Sequence, residues 1–106
     1  MSVTESNSLT IEIVTGLYRS VEPGNARAFL DFLIDHPDQQ FDSDRLQHEL
    51  SFAEHKQVAL AAYAIGELAE NLGLSRPWTE GQKGYAMTAA TARLFDQARS
   101  SPDVST

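Results

Sequence analysis

The longest amphipathic stretch of the chain, AEHKQVALAAYAIGELAENLG, most limits what the chain can fold into. Its apolar residues recur at helical spacing and predict one helix over 53–72 with one continuous buried face, formed by Val58, Ala61, Ala62, Ile65, Leu68, Ala69 and Leu72. Gly73 is a typical residue for ending such a helix. The projection of this helix turns a second set outward, formed by Lys56, Leu60, Tyr63, Glu67 and Glu70.

A shorter helix over 44–50 precedes the long one, with Ser43 as its expected N-cap. Ser51 and Glu54 have the S-x-x-E spacing of a capping box, in which each side chain accepts a hydrogen bond from the other residue's backbone N–H. The second helix is therefore expected to start about one residue after the first one ends. Two helices joined so tightly form a helix-turn-helix.

The remaining segments predict a strand, two more helices and a hairpin. LTIEIV alternates in period two and predicts a strand over 9–14, with Gly16 as its expected end. The apolar spacing after Pro23 predicts a helix that Pro37 stops, followed by a very short strand around Phe41. Trp78 and Thr79 are expected to pair with Tyr85 and Met87 across a turn in which Gly81 and Gly84 take positive φ. Thr88 is expected to cap a helix over 89–99. Residues 1–8 and 101–106 are expected to be disordered.

This order of elements resembles the winged helix-turn-helix superfamily, in particular its MarR-like and small actinobacterial members. Three stretches carry the resemblance: ARAFLDFLIDHPDQQFDSDRLQHEL, SFAEHKQVALAAYAIGELAENLGL and GYAMTAATARLF. It covers roughly residues 22–98. The expected fold class is α+β, mostly helical: a single winged-helix domain over 9–100 with an extra N-terminal strand and a C-terminal helix.

The resemblance implies a small bacterial DNA-binding transcription regulator that acts as a homodimer. In this superfamily the second helix of the motif enters the major groove and a basic hairpin tip contacts phosphate. Carried onto this chain, the expected double-stranded DNA contacts are His55, Lys56, Gln57, Tyr63, Arg76, Gln82 and Lys83. Lysine and tyrosine suit phosphate, and glutamine suits adenine.

The charge of the chain favours an alternative function. The net charge is −7, whereas nucleic-acid binders usually carry a basic excess. Leu60 and Tyr63 lie one turn apart on the outward face of the long helix, which also fits a contact with another protein. The alternative is therefore a winged-helix interaction module with an acidic surface that binds a protein partner and no DNA.

Other function classes receive little support from the sequence. The chain has no cysteine, and His36, His48 and His55 lack the spacing of metal ligands, so neither a metal nor a cofactor is expected. No nucleophile motif or phosphate-binding loop indicates an enzyme. Without a signal peptide or a membrane-spanning run, the expected location is the cytoplasm.

Overall fold

A computed structural model describes residues 10–81 and 84–100. The fold class is α+β and mostly helical, as predicted. Within these described residues, five helices and one two-stranded antiparallel sheet follow in the order α1 (Ile11–Ser20), α2 (Asn25–Asp35), α3 (Ser43–Glu49), α4 (Lys56–Asn71), β1 (Thr79–Gly81), β2 (Gly84–Ala86) and α5 (Ala89–Ser100). The predictions of disorder for 1–8 and 101–106 lie outside the described residues.

The predicted strand over 9–14 is wrong, because residues 11–14 belong to helix α1; residue 9 lies outside the described residues. Thr10 caps the helix, its Oγ1 accepting a hydrogen bond from the Ile13 N–H at 3.2 Å. Val14, Leu17 and Val21 are buried at helical spacing, whereas Ile11, assigned to the buried face of the strand, is 39% exposed. Gly16 lies inside the helix and does not end an element.

Helices α2 and α3 lie close to their predicted positions. Asp35 is the last residue of α2, and Pro37 follows its C-cap, as expected for a proline stop. The N-cap of α3 is Asp42 and not Ser43, because the Asp42 Oδ1 accepts the hydrogen bond of the Arg45 N–H at 2.8 Å.

The connection between α3 and α4 is longer than predicted, and the capping box is wrong. Helix α4 begins at Lys56 rather than at 53, so residues 50–55 separate the two helices. Ser51 adopts a left-handed backbone conformation with φ of 57°. The Glu54 N–H, which a capping box would pair with the Ser51 side chain, instead donates to the Oε1 of Gln57 at 2.8 Å.

Small residues form much of the buried face of α4. Ala61, Ala62, Gly66 and Ala69 are buried there together with two β-branched residues. The axes of packed helices approach more closely where the side chains between them are small. Gly73 ends the helix as predicted, with φ of 77°. Leu72 was predicted to lie on the buried face, but it is 46% exposed, so this part of the prediction is wrong.

The predicted hairpin is present, but different residues pair across its two strands from those that the sequence predicted. Thr79 pairs with Ala86, Glu80 with Tyr85 and Gly81 with Gly84, so Trp78 and Met87 lie outside the ladder. Of the two glycines only Gly84 has a positive φ, of 115°, and the expectation for Gly81 is wrong.

The segment around Phe41 joins this sheet as a single bridge to Tyr85. The Phe41 N–H donates to the Tyr85 carbonyl oxygen at 3.0 Å, and the Tyr85 N–H donates back to Phe41 at 2.9 Å. Gly84 allows this close approach because a Cβ at residue 84 would lie 2.5 Å from the Phe41 carbonyl carbon. The hairpin is thereby fixed to the chain just before α3.

Helix α5 closes the core against α1 and α2. Thr88 caps it as predicted, its Oγ1 accepting from the Thr91 N–H at 3.2 Å. Arg99 pairs with Asp96 on its own helix and with Asp31 and Asp35 on α2. Burial lowers the pKa of Arg99, but its hydrogen bonds to these three carboxylates outweigh burial and raise the pKa above its ordinary value.

Candidate functional site

The outward face of α4 carries a row of five exposed side chains, which we call the α4 stripe. Leu60 and Tyr63, at its centre, are 58% and 56% exposed, more than any other large apolar side chain among the described residues. Charged side chains flank them on both sides. The α4 stripe consists of Lys56, Leu60, Tyr63, Glu67 and Glu70.

Tyr63 and Glu67 form a pair along the stripe. The Tyr63 hydroxyl donates a hydrogen bond to the Glu67 Oε2 at 2.6 Å. This hydrogen bond and the charge of Glu67 raise the pKa of Tyr63 above its ordinary value. Because the hydroxyl already donates to a carboxylate, its only proton is not available to a phosphate oxygen while this bond persists.

The two predicted DNA contacts at the start of α4, His55 and Lys56, both lie beside carboxylates. The His55 Nδ1 is 2.9 Å from the Asp44 Oδ1, and the Lys56 Nζ is 3.5 Å from the Glu54 Oε1. Exposed ion pairs are weak, so Lys56 can leave Glu54 for another anion at little cost. The carboxylates nevertheless reduce the positive potential that phosphate would meet.

Arg76, another predicted DNA contact, lies against α4. Its Nη1 is 2.8 Å from the Glu80 Oε2, and the same oxygen accepts the hydrogen bond of the Trp78 indole N–H at 2.8 Å. A Cβ on Gly66 would lie 2.7 Å from the Arg76 Nε, so the glycine leaves room for the arginine to cross the helix.

Gln57, predicted to read a base, is half-buried, and its Oε1 accepts a hydrogen bond from the Glu54 N–H in the turn before α4. Gln82 and Lys83, the predicted contacts at the hairpin tip, lie outside the described residues. Trp78 and Tyr85 both pack edge-on against Phe29, with ring centroids 5.2 Å and 5.3 Å away. They are therefore part of the core packing rather than a base-stacking platform.

A shallow groove runs along one side of the α4 stripe, between α4 and the corner that joins α1 to α2. Its two halves have volumes of about 420 Å³ and 260 Å³ and share Ala26 and Ala64. We call it the corner groove. Its apolar lining includes Val21, Pro23, Ala26, Leu60, Ala64 and Leu68, and Glu22 and Glu67 add acidic side chains.

Sequence reasoning missed the corner groove because it placed a strand where α1 lies. The helical spacing of Val14, Leu17 and Val21 was the signal that would have revealed the corner. It also missed the Tyr63–Glu67 pair, which the i,i+4 spacing on a predicted helix indicates.

Within residues 10–81 and 84–100, no group of three histidine or acidic side chains is arranged to hold a metal ion. Over the same residues, none of the helices combines the length and the apolar character that crossing a membrane requires. Comparisons with models of protein families, with curated proteins and with solved structures found no match to this chain.

Proposed function

We propose that this chain is a winged-helix protein-interaction domain that presents the α4 stripe to a protein partner. The observation that carries the proposal is the pair of adjacent, more than half-exposed side chains Leu60 and Tyr63 on an ordered helix. Tyrosine is enriched at the centres of interfaces, and the neighbouring leucine adds apolar area to the same surface.

The charges around the stripe support a protein rather than a nucleic-acid partner. Glu67 and Glu70 lie on the same face as Leu60, and the described lysine and arginine predicted to contact DNA, Lys56 and Arg76, each lie beside a carboxylate. Each neutralised phosphate needs its own cation, so such a face binds the DNA backbone poorly. The flanking carboxylates are suited instead to cationic groups on a protein.

Site-specific photo-crosslinking tests this proposal. A benzophenone-bearing amino acid replaces Tyr63 in cells that carry the natural gene, and the same amino acid replaces Gln97, an exposed residue of α5, as the matched control. We expect one dominant protein adduct from position 63 and no such adduct from position 97. Addition of Leu60→Asp should abolish the adduct from position 63. Equal labelling from both positions would mean that α4 is not a specific contact surface.

DNA binding remains the second candidate function. The order of α3, α4 and hairpin, with Phe41 bridged to Tyr85, favours it, because it is the order of elements in winged-helix DNA readers. If it is correct, Lys56→Ala weakens binding to all sequences and lowers the salt slope by about one unit, whereas Gln57→Ala leaves the slope unchanged. Folded protein that retains no pooled genomic fragment at low salt would exclude this function.

A further inference from the structure

We infer that the partner of the α4 stripe is a second copy of the same chain, with the two α4 helices packed antiparallel about a two-fold axis. This inference rests on the proposed function, because it names the occupant of the surface described there. It places the dimer contact on α4, the helix that the superfamily resemblance would instead place in a DNA groove.

The spacing of the stripe suits helix pairing. Its members follow one another at intervals of four, three, four and three residues along α4. This is the spacing at which side chains form the contact seam between two packed helices. The seam is apolar at Leu60 and Tyr63 and charged at its ends.

The charges of the stripe select the antiparallel orientation. Lys56 lies at the amino-terminal end of the stripe, and Glu67 and Glu70 lie at the carboxyl-terminal end. Parallel helices in register would place Lys56 beside Lys56 and Glu67 beside Glu67, which is repulsive. Antiparallel helices place the positive end of each copy beside the negative end of the other.

One antiparallel register satisfies the apolar and the charged positions together. When Leu60 faces Tyr63 of the second copy, Lys56 faces Glu67 of the second copy, because both pairs have the same midpoint along the helix. Two-fold symmetry then makes each contact twice. The Tyr63 hydroxyl donates to the Glu67 Oε2 at 2.6 Å, and a carboxylate has further acceptor sites, so Glu67 can also accept from the ammonium group of Lys56 of the second copy.

Charge reversal tests this register. Sedimentation velocity from about 10 μM to about 300 μM is expected to show a reversible dimer with micromolar dissociation constant, since a single-helix contact is a small interface. Lys56→Glu and Glu67→Lys each weaken the dimer, by about tenfold, because two ion pairs per dimer become repulsions. The double variant K56E/E67K restores it, whereas the matched control K56E/E70K does not. A control that restores dimerisation equally, or a double variant that does not restore it, overturns the register.

Disulfide formation gives a second readout that does not depend on charge. Because the chain has no cysteine, the single variants Leu60→Cys and Tyr63→Cys each carry one thiol. A mixture of the two is expected to form crosslinked dimers faster than either variant alone. Faster crosslinking within each separate variant indicates parallel helices and overturns the inference.

The photo-crosslinking experiment separates failure of this inference from failure of the proposed function. An adduct from position 63 with twice the mass of the chain supports self-association. An adduct with a different protein leaves the proposed function standing and overturns the second-copy inference. Absence of any adduct contradicts both.

Discussion

Replacement of Gly84 by alanine should detach the hairpin from the segment before α3. Gly84 has φ of 115°, a conformation that strains any residue with a Cβ. The added Cβ would lie 2.5 Å from the Phe41 carbonyl carbon and 2.7 Å from the Asp42 Cα, both backbone atoms that cannot rotate away. The substitution therefore forces either a backbone shift or the loss of the Phe41–Tyr85 bridge.

The size of the effect follows from these two contributions. Backbone strain at such a position costs about 1–3 kcal/mol. The bridge contains two backbone hydrogen bonds, of 3.0 Å and 2.9 Å, and each contributes about 1 kcal/mol. We expect Gly84→Ala to lower the free energy of unfolding by about 3–5 kcal/mol, a large part of the stability of a small domain.

Gly81→Ala is the matched control on the opposite strand. Gly81 pairs with Gly84, but its φ is not positive and a Cβ there would meet no atom within 4 Å. We expect this variant to change the free energy of unfolding by less than about 0.5 kcal/mol. Urea unfolding followed by the fluorescence of Trp78, the single tryptophan of the chain, measures both variants. Equal midpoints for the two would refute the reasoning, because the hairpin would then not abut Phe41.

Three further predictions concern single side chains. Gln57→Ala should lower the free energy of unfolding by about 1 kcal/mol because it removes the hydrogen bond from the Glu54 N–H, while Ser51→Ala should change it by less than about 0.5 kcal/mol; thermal unfolding compares them. Glu67→Gln should lower the pKa of Tyr63 towards its ordinary value, as measured by NMR titration of the ring carbons, and an unchanged pKa would contradict the pairing. Burial and a hydrogen bond to the Asp31 carboxylate raise the pKa of Tyr18. The stabilising contribution of Tyr18 is therefore complete below the ordinary pKa of tyrosine and is lost as pH rises through the raised value. The difference in free energy of unfolding between the natural chain and Tyr18→Phe should shrink in strong alkali.

Much of the helical part of the fold could be predicted because its signals are local. Pro37, Gly73 and Thr88 each act on the neighbouring backbone, and each ends or begins a helix where the sequence indicates. The outward set on α4 could also be predicted, since a long helix with one apolar face leaves little choice for the opposite one. The two exposed apolar residues of the candidate site, Leu60 and Tyr63, come from this projection.

The predictions that were wrong concern segments where two short sequence patterns compete, or where contacts with residues distant in the sequence determine the local structure. Six residues of alternation at 9–14 indicate a strand, but the burial of Val14, Leu17 and Val21 against other helices favours a helix. The S-x-x-E pattern at 51–54 is matched in spacing, yet Gln57 provides the acceptor for the Glu54 N–H instead. The position of Arg76 across Gly66 depends on a contact between α4 and the segment before β1, which no local pattern reveals.

The small residues on the buried face of α4 couple the packing of the core to the position of the exposed α4 stripe. Because Ala61, Ala62 and Ala69 are buried, there is little side-chain length that can adjust when one of them is enlarged. A larger residue at any of these positions displaces the whole helix outward and tilts Leu60 and Tyr63 with it. If the α4 stripe is a binding surface, as proposed, its specificity can therefore change through buried substitutions that a comparison of surface residues would not detect.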